Sequence, residues 1–96
     1  MQQSELQIGP AYLMASGLLL FGTAALSLFV YDVDPVLAVR NGLIALVVFQ
    51  LLILVLPDLQ RLALRADDGL NKNTRNMLTY SVIGNVIVSA LLTFAL

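Results

Sequence analysis

Three long uncharged stretches separated by short polar segments set the pattern of this chain. They run from Leu6 to Tyr31, from Asn41 to Leu56 and from Asn76 to Leu96, and none holds an Asp, Glu, Lys or Arg. Apolar side chains fall on all sides at helical spacing, whereas a helix of a water-soluble domain keeps a polar face. Pro10 to Tyr31 is 22 residues, and Val36 to Leu56 and Asn76 to Leu96 are 21 each. As helices rising about 1.5 Å per residue they match the roughly 30 Å hydrocarbon layer of a bilayer. The pattern predicts an all-α integral membrane protein with three transmembrane helices at about 10–31, 36–56 and 76–96, forming a single domain over 1–96.

The segments between the stretches carry helix signals. Gly9-Pro10 places proline where its missing N–H is not needed, and Ser4 with Gln7 three residues on offers an alternative capped start. Asp34 before Pro35 is a strong start for the second helix, since a carboxylate accepts orphan N–H groups and suits the positive end of the dipole. Pro57 closes that helix. The following run 58–66 alternates Leu59, Leu62, Ala63 and Ala66 with Arg61 and Arg65, which predicts a short amphipathic segment on the membrane surface. Asp67-Asp68-Gly69 reads as its glycine-capped end, and Asn71, Asn73 or Thr74 as the N-cap of the third helix.

Composition narrows the chemistry. The 96 residues are 59% hydrophobic and 11% charged, with net charge −1 and neither Cys nor His. Such a balance lacks the basic cluster that nucleic-acid binding needs. Without imidazole or thiolate, the usual bases, nucleophiles and transition-metal ligands are absent, and every carboxylate lies outside the three stretches. An enzyme is therefore not expected, nor is an ion-coupled carrier, which normally keeps an acid inside the membrane.

Polar and small residues inside the stretches are the candidate functional positions. Ala11, Ala15, Gly22 and Ala25 share one face of the first helix, with Ser16, Thr23 and Ser27 on a neighbouring face. Ser81, Asn85, Ser89 and Thr93 recur every fourth residue on the third helix, with Gly84 alongside. In lipid such faces let helix backbones approach closely and hydroxyls bond across, so they read as contacts to other helices or partner subunits. Gln50 is deep in the second helix and should bond to another helix; its amide oxygen, like that of Asn85, could alternatively face a pigment or quinone. Asp32, Asp34 and Arg40 are the interface charges of the first connection, with Arg40 expected to snorkel or pair with an aspartate, an intersubunit or lipid-phosphate contact being the alternative.

Arg61, Arg65, Lys72 and Arg75 lie in the second connection, against Arg40 alone near the first. The excess of basic residues on cytoplasmic loops places the N-terminus in the cytoplasm and the C-terminus opposite, in a bacterial inner or thylakoid membrane. Tyr12 and Tyr80 would mark one interface and Tyr31 the other. The acidic leader and long apolar run suggest that the first helix is retained rather than cleaved. The expected function is a small accessory subunit of a larger membrane complex, an energy-converting one (photosynthetic or respiratory) being the favoured host, with lipids and other transmembrane subunits as partners. A homo-oligomeric or holin-like pore and an assembly or regulatory factor are the alternatives.

Overall fold

The computed structural model describes residues 7–64 and 69–94. Among these residues four helices follow one another: α1 (Pro10–Phe29), α2 (Pro35–Val55), α3 (Pro57–Ala63) and α4 (Lys72–Phe94). The first, second and fourth are long and apolar enough to cross a membrane. Their 20, 21 and 23 residues correspond to roughly 30–35 Å at helical rise. Among the described residues the only extended pairing is an isolated antiparallel bridge between Ile8 and Leu64.

Local chemistry sets the helix ends. Proline stands at the first turn of α1, α2 and α3. At α2 the Asp34 carboxylate accepts from the Val36 N–H at 3.0 Å, the cap that the Asp-Pro pair implied. α1 stops at Phe29, two residues short of expectation, because Val33 N–H donates to the Ser27 carbonyl and Asp32 adopts a positive φ of 58° that turns the chain. α4 begins at Lys72 rather than near 76: Asn71 Oδ1 accepts from Thr74 N–H at 2.8 Å and caps it. Hydropathy missed that first turn because Lys72 and Arg75 lie within it. The Ser4 start, Arg65 to Asp68 and the final two residues lie outside the described residues.

α2 is the central element. It packs against both α1 and α4, whose backbones do not approach each other closely among the described residues. α1 and α4 run one way and α2 the other. The start of α1, all of α3 and the start of α4 therefore share one end, and the Asp34 turn lies at the opposite end. The α1–α2 contact is closest at Gly42, where an added Cβ would collide with the Leu20 carbonyl oxygen. Ala38, four residues earlier, is also buried. The core proper lies toward the α3 end, where Tyr12, Ile53, Ala63, Leu64 and Leu78 cluster and Tyr12 stacks on Phe49 with ring centroids 5.9 Å apart.

α3 departs from a surface amphipathic segment in one respect. Leu62 is exposed, but Gln60 and Ala63 are buried and the helix ends at Ala63, short of 66. Leu64 is instead extended to pair with Ile8. Gly69, with φ of 96°, supplies a left-handed turn in the loop before α4 rather than a cap on α3.

Candidate functional site

Polar side chains from α1, α2 and α4 meet in two clusters. Near the α3 end, Gln50 is 2% exposed. Its Nε2 donates to Tyr12 Oη at 3.0 Å and to Ser81 Oγ at 2.9 Å, while its Oε1 accepts from Asn85 Nδ2 at 3.2 Å. Both amide hydrogens and the carbonyl are thus satisfied by the helices on either side. A buried amide without partners would cost roughly 1–3 kcal/mol, so this knot fixes the rotation of all three helices about Gln50.

Tyr12, read from the sequence as an interfacial tyrosine, is buried within the bundle near the start of α1. Tyr31 and Tyr80 are exposed. The signal that could have found Tyr12 was the four-residue step to Ser16, which aligns its ring with the hydroxyl face of α1.

The second cluster lies toward the Asp34 end. Arg40 Nε and Nη2 donate to Asn41 Oδ1 at 3.2 and 2.7 Å, and Nη1 reaches Thr93 Oγ1 at 3.5 Å. Asn41 Nδ2 donates to Ser27 Oγ at 3.1 Å, and the Thr93 hydroxyl donates to the Ser89 carbonyl at 2.8 Å. The expected ion pair with Asp32 or Asp34 does not form: Asp34 is engaged as a cap, and Arg40 turns toward α4 instead. The negative ends of the α1 and α4 dipoles lie close to this cation and favour that choice. Along the same faces the buried Oγ atoms of Ser16 and Ser89 have no hydrogen-bond partner.

The small-residue positions divide. Ala11, Gly22 and Ala25 are exposed and Ala15 is half-buried, so this face of α1 points away from α2. Gly22 and Gly84 have nothing within 4 Å of an added Cβ. Ser81, Asn85 and Ser89 face inward on α4, and Thr93 is exposed at its end. The close contact that sequence reasoning missed is Gly42, although Ala38 and Gly42 stand at the four-residue spacing of small helix-contact residues.

A third polar device closes the α3 end. Gln60 Nε2 donates to the Ile53 carbonyl at 2.9 Å and leans on the Leu54 carbonyl at 3.5 Å. Gln7 fastens the start of the chain to the loop before α4. Its Nε2 donates to the Gly69 carbonyl, its Oε1 accepts from Asn71 N–H, and its backbone N–H donates to Thr74 Oγ1.

As a binding site for a pigment or quinone, Gln50 is closed by its own partners, while Asn85 is half-buried and the more accessible of the two. Among the described residues no three His, Cys, Asp or Glu side chains come together as a metal ion would require. Comparison with protein-family models, with curated proteins and with solved structures finds no match for this chain.

Proposed function

We propose that this chain is an integral membrane protein serving as a small accessory subunit of a larger membrane complex, an energy-converting assembly being the favoured host. The observation that carries the proposal is the division between inside and outside. Gln50 with Tyr12, Ser81 and Asn85, and Arg40 with Asn41, Ser27 and Thr93, are engaged with one another between the three long helices, whereas the exterior is largely apolar and includes open small-residue positions at Ala11, Gly22, Ala25 and Gly84. In lipid, such positions admit the backbone of a neighbouring helix. Leu18, Phe21, Phe29, Leu91 and Phe94, all strongly exposed, supply the apolar surface around them. The basic residues Arg61, Lys72 and Arg75 at the α3 end favour a cytoplasmic location for that end.

The geometry gives less support to a pore. The Ser81–Asn85–Ser89 ridge that would line a lumen faces α2 within the same chain. Extraction of a tagged chain in mild detergent tests the proposal. The expected result is stable co-migration with larger membrane subunits. Recovery alone, at the mass of a monomer or a small homo-oligomer, overturns it, and association that appears only transiently favours an assembly factor.

A further inference from the structure

The guanidinium of Arg40 is permanently charged and presents five N–H donors. Among the described residues it has no carboxylate partner. Its side-on edge, Nε with Nη2, is held by one neutral acceptor, Asn41 Oδ1, which is itself fastened to α1 through Ser27. The end-on edge, Nη1 with Nη2, points away from Asn41. Its one further contact among the described residues is the 3.5 Å approach to Thr93 Oγ1, on the exposed side. Thr93 accepts there, its own proton being given to the Ser89 carbonyl.

Depth follows from helix geometry. Helical side chains lean toward the N-terminus of their own helix, and Arg40 is near the start of α2. The guanidinium is therefore carried back toward the helix ends, and Thr93, in the last described turn of α4, fixes its level there. In a bilayer this is the depth of the headgroups. A planar fork with parallel donors, oriented by two neighbouring helices and with no carboxylate partner among the described residues, matches the paired oxygens of a phosphate.

We propose that Arg40, positioned by Asn41 and Thr93, binds the phosphate of a lipid headgroup at the Asp34 end of the molecule. The inference rests on the membrane reading but not on the accessory-subunit role. The test is solid-state NMR dephasing of arginine ¹³Cζ by ³¹P, with labelled protein in vesicles of phosphatidylglycerol and phosphatidylcholine. A parallel sample in phosphorus-free detergent receives inorganic phosphate.

In vesicles, Arg40→Gln should lose the dephased component that the wild type shows beyond its other arginines. Asn41→Ala, which keeps the cation but releases the fork, should lose most of it as well. Dephasing in vesicles alone assigns the site to headgroups, and dephasing in both samples assigns it to phosphate whatever its carrier. Equal dephasing in wild type and Arg40→Gln, with both floating with the vesicles, overturns the site alone. Equal dephasing in wild type and Asn41→Ala overturns the positioning by Asn41. Failure of the wild type to float overturns the membrane reading and the site with it.

Discussion

The Gln60 side chain donates to the Ile53 carbonyl at 2.9 Å, the acceptor that Pro57, four residues further on and without an N–H, cannot serve. A side chain from the next helix thus stands in for a missing rung of α2. Gln60→Leu should leave that buried carbonyl unsatisfied, at a cost of roughly 1–3 kcal/mol. Pro57→Ala restores a backbone donor, so the double variant should recover much of the loss. Unfolding midpoints in detergent for the two single variants and the double variant measure this coupling; strict additivity would contradict it.

The Gln50 knot predicts graded losses. Tyr12→Phe removes one of two acceptors for Nε2 and should cost about 0.5–1 kcal/mol, in the range of single hydrogen bonds between helices in lipid. Gln50→Leu strands Tyr12, Ser81 and Asn85 together and should cost more than Tyr12→Phe. Denaturation in micelles ranks the two, and a larger effect for Tyr12→Phe would argue that the ring, not the amide, organises the contact.

Glycines should separate by location. Gly42→Ala drives a methyl into the Leu20 carbonyl and should part α1 from α2 at a cost of about 1–3 kcal/mol. Gly22→Ala and Gly84→Ala meet open space and should leave the isolated chain as stable as the wild type or slightly more so. If the accessory role holds, the bulkier Gly22→Leu and Gly84→Leu should weaken co-purification with partner subunits while leaving the chain folded. Thermal unfolding of the isolated protein and recovery of its companions are the two measurements.

Orientation yields to fusion reporters. An enzyme active only in the cytoplasm should be silent at the C-terminus and active in the loop before α4. The reverse result would invert the assignment made from Arg61, Arg65, Lys72 and Arg75.

Much of this architecture could be read from residue order alone. Proline and aspartate positions located the starts of α1 and α2, because capping acts over a few residues of chain. The need of Gln50 for a partner on another helix followed from the cost of an idle amide in an apolar setting, yet which groups would answer it depended on helix rotation. Uniformly apolar helices give little periodic signal from which to read rotation. The same gap explains Tyr12, whose ring suits either an interface or a core, and Arg40, whose nearest aspartates in sequence are not its neighbours in space. Gln60 escaped notice because its role appears only once α3 folds back beneath α2.

Because α2 lies between the two flanking helices, whose backbones do not approach each other closely among the described residues, the order of synthesis can also be the order of docking. As soon as Val55 has emerged, α1 and α2 can close as a hairpin on Gly42, with Gln50 already resting on Tyr12. α4 then arrives at a surface whose hydrogen-bonding groups are in place. The contacts of Gln7 with the loop and start of α4 must wait for that arrival, so a residue made ahead of α1 is among the last to find its neighbours.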